Sequence, residues 1–292
     1  MKMKSLLPKA VIVVSALFLI LSFVERSETT EDVNLKDALR SKQISADIIS
    51  NGKYSGKSVK LKVTNNTGKE LKVNIPAGSA YMPADDGEQT LVQLEEDFIV
   101  LAPNGAGNIT IAAFCSESSD GCPSSDSDFT LSKTTNKKLN QMIAYMKGKK
   151  ISKMAYQDAV WAITDGKAIS NIQASDKVTK DFRQYVAKLT GKENTWYTSP
   201  QNYQVDERGN INSETVIIRG ELKFPSDGVT PIHEEICDAD GTMLYRSNTS
   251  QPRKSANVTM EFSVRVKGWE IGDYMVKVME GDKELKRFLF KV

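Results

Sequence analysis

One histidine, His233, stands in 292 residues. That scarcity removes Ser-His-Asp triads, Cys-His pairs at any second position and poly-histidine metal sites. Cysteine is scarce as well, with three in the chain, too few for a disulfide-built scaffold. No excess of one charge exists: 39 basic side chains face 37 acidic ones, for a net charge of +2. Such a balance argues against a dedicated nucleic-acid binder. Phosphate-cradling loops are missing too, because Gly105-Ala106-Gly107 lacks the lysine and the helix that a P-loop requires. Apolar residues at 40% and charged residues at 26% are ordinary for a folded chain of about two domains. No catalytic residue, cofactor or metal centre is expected, and the chain reads as a non-enzyme.

Long apolar runs are confined to the amino terminus. Lys2, Lys4 and Lys9 precede the apolar segment Ala10 to Val24, which as a helix spans about 22 Å against the ~30 Å of a hydrocarbon core. Residues 1–24 therefore read as a signal anchor or a signal peptide. The lysines before the run and Glu25, Glu28, Glu31 and Asp32 after it put residues 25–292 outside the cytoplasm. The protein is expected in the cell envelope, with a membrane contact through residues 10–24, or secreted if the signal is cleaved. Residues 25–43, polar and non-periodic, read as a tether.

Beyond residue 44 the hydrophobic period is two. Val59, Leu61 and Val63, then Asn65-Asn66-Thr67-Gly68, then Leu71, Val73 and Ile75 form a hairpin signature. Further strands are expected at Gln89 to Leu94, Asp97 to Leu101 and Asn108 to Phe114. Near residue 134 the period changes. Leu139, Met142, Ile143 and Met146 predict one helix, and Ala155, Ala159, Val160 and Ile163 predict a second. A third runs from a Ser175-Asp176 cap to Gly191. The strand pattern returns after residue 213. The fold class is thus mainly β with a helical subdomain: two antiparallel immunoglobulin-like β-sandwiches, the first followed by about three helices. The expected domains are residues 44–191, a linker at 192–212 and a carboxy-terminal sandwich at 213–292.

Four groups of side chains could carry chemistry. Cys115 and Cys122 bracket a Ser-rich loop; outside the cytoplasm the default is a disulfide, which would stabilise the fold by roughly 2–3 kcal/mol through loop closure. Cys237 is then left as a buried free thiol. His233, Glu235 and Cys237 share a strand face, but with no second cluster they read as a solvated face rather than a zinc site. The loop acids, among them Asp238 and Asp240, read as turn residues rather than calcium ligands. Lys137, Lys138, Lys147, Lys149, Lys150 and Lys153 form a cationic window suited to contact with polyanions, anionic lipid or polysaccharide.

Two resemblances add to this reading. Tyr156-Gln157-Asp158-Ala159-Val160-Trp161-Ala162 resembles the glutamine motif of the thioester domains of bacterial surface adhesins, and Phe114-Cys115 is similar to their cysteine position. The resemblance covers residues 90–166 and implies an internal thioester between Cys115 and Gln157 that an amine on a partner protein opens. It excludes a Cys115–Cys122 disulfide, so the two readings stand as alternatives. Residues 214–292, with Gly272-Asp273-Tyr274 entering a final hairpin, resemble immunoglobulin-like modules and the carboxy-terminal sorting sandwiches of type IX secretion cargo. The expected function is binding or adhesion at the envelope to a surface protein or polysaccharide, with covalent adhesion, or secretion as sorted cargo, as alternatives.

Overall fold

A computed structural model describes residues 30–251 and 254–292. The expected signal anchor at 1–24 lies outside the described residues. Among the described residues no helix is long and apolar enough to cross a membrane. The protein is mainly β with a few helices.

Residues 30–43, expected as part of a tether, are structured. β1 (Glu31–Asn34) pairs in parallel with β4 (Leu71–Ile75), and β4 pairs with β7 (Asp97–Leu101). Helix α1 (Leu35–Arg40) follows β1 and buries Leu35 and Ala38. The hydrophobic alternation explains this recruitment: Leu71, Val73 and Ile75 are all fully buried, and a strand whose apolar face is covered still needs partners on both edges.

The remaining strands of the first half close on themselves. β2 (Ile44–Asn51), β3 (Lys57–Asn65), β8 (Ala106–Cys115), β6 (Leu91–Gln93), β5 (Ser79–Pro83) and β9 (Ser125–Lys133) form a closed barrel in that order. This corrects the expected first sandwich. Closure follows from the length of β8: its first part pairs with β3, from Thr64↔Ala106 to Lys57↔Ala112, while its last three residues pair with β6, from Gln93↔Ala113 to Leu91↔Cys115. One strand thereby joins two sheets, and no free edge is left between them.

Three helices stand beside the barrel: α2 (Lys137–Met146), α3 (Tyr156–Thr164) and α4 (Lys177–Thr190). The Asp176 carboxylate caps α4 by accepting the Thr179 N–H at 2.9 Å, and Gly191 ends it in the left-handed conformation at φ 74°. α3 differs from its neighbours in having no polar face. Every residue from Tyr156 to Ala162 is buried, so the helix is a wedge between two cores. Trp161 enters the barrel core with Leu61, Tyr81, Ile111 and Cys115. Tyr156, Ala159 and Val160 enter the helical core with Phe114, Met142 and Phe182.

Residues 192–212, expected as a linker, carry β10 (Tyr197–Thr198) and a two-stranded hairpin of β11 (Gln201–Val205) and β12 (Ile211–Thr215). Tyr203 and Ile211 of that hairpin pack on the barrel core. The second half is a sandwich of a three-stranded sheet, β10-β13-β16, and a four-stranded sheet, β15-β14-β17-β18. Their ranges are β13 (Ile217–Ser226), β14 (Ile232–Asp238), β15 (Met243–Arg246), β16 (Ser255–Arg265), β17 (Asp273–Glu280) and β18 (Lys283–Lys291). Leu222, Phe224 and Phe262 from one sheet meet Ile236, Val276, Val278 and Phe290 from the other.

Trp196 locks the connection between the halves. Its ring packs on Phe262 and Phe288, and its Nε1 donates to the Leu289 carbonyl at 2.6 Å. The ring lies so close over β13 that a Cβ at Gly220 would stand 2.7 Å from its Cε3. From the helical side the buried Arg183 donates to the carbonyls of Thr195 and Tyr197. Gly220→Ala is expected to destabilise the protein by about 1–3 kcal/mol through overpacking against Trp196, read as a lower urea midpoint with an unchanged slope; a midpoint equal to wild type would contradict this packing.

Candidate functional site

β8 ends at Cys115, and strand alternation decides what that residue faces. Ala113 and Cys115 belong to the barrel core, whereas Phe114 points the other way and meets Tyr156 edge-on at 5.5 Å between ring centres. The Phe114–Tyr156 contact sets the first turn of α3 against the end of β8. Gln157, the next residue, is therefore delivered to Cys115. Its Nε2 donates to the Cys115 carbonyl at 2.8 Å, and its Oε1 accepts the Cys115 N–H at 3.2 Å. The same N–H also reaches the Tyr54 carbonyl at 2.9 Å. Cys115 is 0% exposed and Gln157 7%. A buried carboxamide must find partners, and here both of its polar atoms find them on one cysteine.

The far end of α3 is tied to the same place. Asp165 Oδ2, just past the helix, accepts the Ser118 N–H at 2.8 Å, so the loop leaving Cys115 is held by the helix that carries Gln157. Along this loop, Glu117 accepts from Ser116 Oγ at 2.7 Å and from the Thr90 N–H at 2.9 Å. Burial raises the Glu117 carboxyl above its ordinary range, partly offset by those two hydrogen bonds. Ser116, Glu117, Thr164 and Asp165 line an open cleft of about 520 Å³, which Lys133 also lines.

All three cysteines are free, which corrects the expected Cys115–Cys122 disulfide. Other contacts hold the loop instead. Gly121 bridges to Glu88 and exchanges backbone bonds with Gly87 and Gln89, and the Cys122 N–H donates to the Gly209 carbonyl at 2.8 Å. The Cys122 sulfur rests on the Pro123 carbonyl at 3.8 Å. Desolvation pushes the Cys115 thiol well above the ordinary range, with smaller contributions from Cys122 and Glu117. Cys122 is pushed up to about 11 by the same cause, and then by Glu88. Neither sulfur is a ready thiolate.

Three aromatic rings close the site. Trp161 stacks on Tyr54 at 6.0 Å and 13°, and Tyr203 meets Trp161 edge-on at 5.0 Å. Tyr203 also donates its hydroxyl to Asp158 Oδ1. Asp158 is 4% exposed, and burial lifts its carboxyl to about 6, opposed in part by the Tyr203 hydrogen bond. None of Tyr54, Asp158 and Tyr203 was singled out from sequence. Asp158 did carry a signal, being the only charge in the helix Tyr156–Thr164. Tyr203 carried none, since it lies in a stretch that reads as linker.

The other candidates lie elsewhere. Lys137, Lys138, Lys147, Lys149, Lys150 and Lys153 are all exposed on and after α2. Lys153 pairs with Glu95 at 3.2 Å, and Lys149 sits 4.0 Å over the Tyr145 ring; none of the six touches the Cys115 site. His233 is buried, 3.3 Å from Glu235, which also pairs with Arg246. Among the described residues no group of three His, Cys, Asp or Glu side chains is placed to hold a metal.

No family model matches the chain, and no curated protein matches it. Among solved structures, the CBM51-2 and INT domains of Clostridium perfringens ZmpB are 10% identical with a TM-score of 0.20, covering 85% of this chain and 78% of theirs. The same domains in complex with GlcNAc are 12% identical, also at 0.20, with 85% and 79% covered. The BSP domain of a biofilm-associated protein is 10% identical at 0.19, with 85% of this chain and 51% of that one covered. Likeness at this level supports no inference about activity.

Asp158 sets a pH dependence. Its carboxyl binds a proton more tightly in the folded protein, at about 6, than at its ordinary 3.8, so stability falls as pH rises through that window and the cost is complete at neutral pH. Asp158→Asn keeps an acceptor for Tyr203 and removes the charge. It is expected to stabilise the protein at pH 8 by roughly 2–3 kcal/mol and to bring no gain below pH 4. Thermal melts at both pH values check this, and a gain independent of pH would contradict it.

Proposed function

We propose that this is a surface adhesion protein that attaches to its target covalently, through an internal thioester between Cys115 Sγ and Gln157 Cδ. One observation carries the reading: the Gln157 carboxamide is seated on the Cys115 backbone by two hydrogen bonds, at 2.8 and 3.2 Å, in a buried position beside the Cys115 side chain.

The chemistry balances without a cofactor. The Cys115 thiol adds to the Gln157 amide carbon, the C–N bond breaks, and the nitrogen leaves as ammonia with the thiol proton. An amine on the target then adds to the thioester carbon, the C–S bond breaks, and sulfur recovers a proton from the incoming ammonium. The target ends bound to Gln157 through an amide, and Cys115 ends as a thiol. Each molecule reacts once, which accords with a protein that is not an enzyme.

Burial supports this chemistry in two ways. Desolvation disfavours the Cys115 thiolate, and a neutral thioester loses no ion hydration in the same place. A bond at Cys115, which is 0% exposed, is also shielded from bulk water and so hydrolyses slowly. Ser116, the residue after Cys115, lines an open cleft whose Glu117 and Asp165 side chains suit a target amine in its ammonium form. The apolar segment 10–24 supports presentation of the site outside the cytoplasm, and the exposed lysines at 137–153 support an additional non-covalent contact with polyanions.

Intact mass spectrometry of protein recovered from its native membrane tests the reading. The expected result is a mass lower by one ammonia, about 17 Da, lost again on Cys115→Ala and converted to a methylamine adduct by methylamine. Under denaturing, non-nucleophilic conditions two of the three thiols should titrate. An unshifted mass with all three titrating would overturn it.

A further inference from the structure

The second sandwich has one open side. At its closed side β10 meets β18, where the Lys291 N–H donates to the Tyr197 hydroxyl at 3.0 Å; the opposite ends of the two sheets are β16 and β15. Among the described residues β16 pairs only with β13, so the other edge of this 11-residue strand is unpaired. Long edges recruit further strands unless a proline, a lysine or a bulge blunts them. Ser255–Arg265 contains neither proline nor lysine, and its single register shift lies at its start, opposite Phe224 and Ser226. The stretch from Val258 to Arg265 is regular.

Both faces of that stretch are unfinished. On the inner face Val258, Met260 and Val264 are only half-buried, whereas Phe224, Leu222 and Ile218, which stand opposite them on β13, are 0–1% exposed. The core stops at β16 for want of a next strand. On the outer face Glu261 and Arg265 are the only charges of the strand, and both are exposed. Glu261 stands opposite Glu221 of β13, a like-charge placement that costs stability. The nearby lysines serve Glu221 instead, Lys180 at 3.1 Å and Lys223 at 3.6 Å. Among the described residues neither Glu261 nor Arg265 has an ion-pair partner.

A second copy of the same strand meets both deficits. When two β16 strands run antiparallel about a two-fold axis at Ser263, Glu261 stands opposite Arg265 twice on the outer face. On the inner face Phe262 stands opposite Val264 twice, and no like charges meet. We propose that the chain forms a symmetric dimer through β16, which joins two three-stranded sheets into one continuous sheet. Backbone hydrogen bonds supply the attachment, and the paired charges fix its register. The dimer requires nothing of Cys115 or Gln157.

Four substitutions in the full chain, held in detergent, test this. Under mild oxidation Ser263→Cys is expected to give a disulfide-linked dimer, because a residue on the axis meets its own copy. Thr259→Cys lies about 27 Å from its own copy in this register and is expected to stay uncoupled, as is wild type, whose three cysteines are buried. Light scattering is expected to give wild type the protein mass of two chains. Glu261→Arg alone or Arg265→Glu alone sets like charges face to face twice and should weaken association about 10-fold or more; the two together restore it. A monomeric wild type at about 100 μM would overturn the proposal, as would a dimer that both single reversals leave intact. Coupling through Thr259→Cys as readily as through Ser263→Cys would also sink it, and so would crosslinking of Ser263→Cys in the native membrane to a different protein only.

Discussion

The structure depends on the burial of one short helix. α3 is covered on all sides from Tyr156 to Ala162, and its sequence includes two strongly polar side chains that cannot reach water. Gln157 is satisfied by Cys115 and Asp158 by Tyr203. Those two requirements bring together the end of a barrel strand, the helical layer and a hairpin from the far side of the domain. Remove either partner and a polar group is stranded in the core, at a cost of about 1–3 kcal/mol out of a domain's typical ~5–15 kcal/mol.

The requirements also explain why the site is a poor place for free ions. Thiol, carboxyl and phenol groups around α3 are all shifted toward their neutral forms by burial. The acyl bond proposed between Cys115 and Gln157 is neutral too, and so is compatible with a site that disfavours ions. The aromatic rings of Tyr54, Trp161 and Tyr203 exclude water without providing charge.

Periodicity made much of the fold legible. Val59, Leu61 and Val63, and Leu71, Val73 and Ile75, alternate so regularly that the strands follow from them, and Asp176 and Gly191 mark the ends of α4 by their capping chemistry. Closure of the barrel was not legible, since it depends on β8 serving two partners, and residue patterns do not encode which strand lies on each side. The hairpin at 201–215 was hidden for a similar reason: Gln, Asn, Ser and Glu dominate it, and its fold comes from two side chains, Tyr203 and Ile211, docking on a distant core. Cys115 and Gln157 were readable as a pair through their local motifs, while the free state of Cys122 was not. Its loop is held by backbone bonds to Gly87, Gln89 and Gly209, a tertiary arrangement that makes a crosslink superfluous.

The docking of Tyr203 and Gly209 has a consequence for biosynthesis. The barrel strands and α3 are complete in the chain by residue 164, but the ring that covers Trp161 and the donor that satisfies Asp158 arrive some forty residues later. Long-range contacts of this kind form late, after loop closure. A nascent chain that has emerged only as far as α4 therefore lacks the Tyr203 ring on Trp161 and the hydroxyl that Asp158 accepts from. The last polar group of α3 is satisfied only once the hairpin has folded back, so completion of the first half waits for synthesis of the segment that leads into the second.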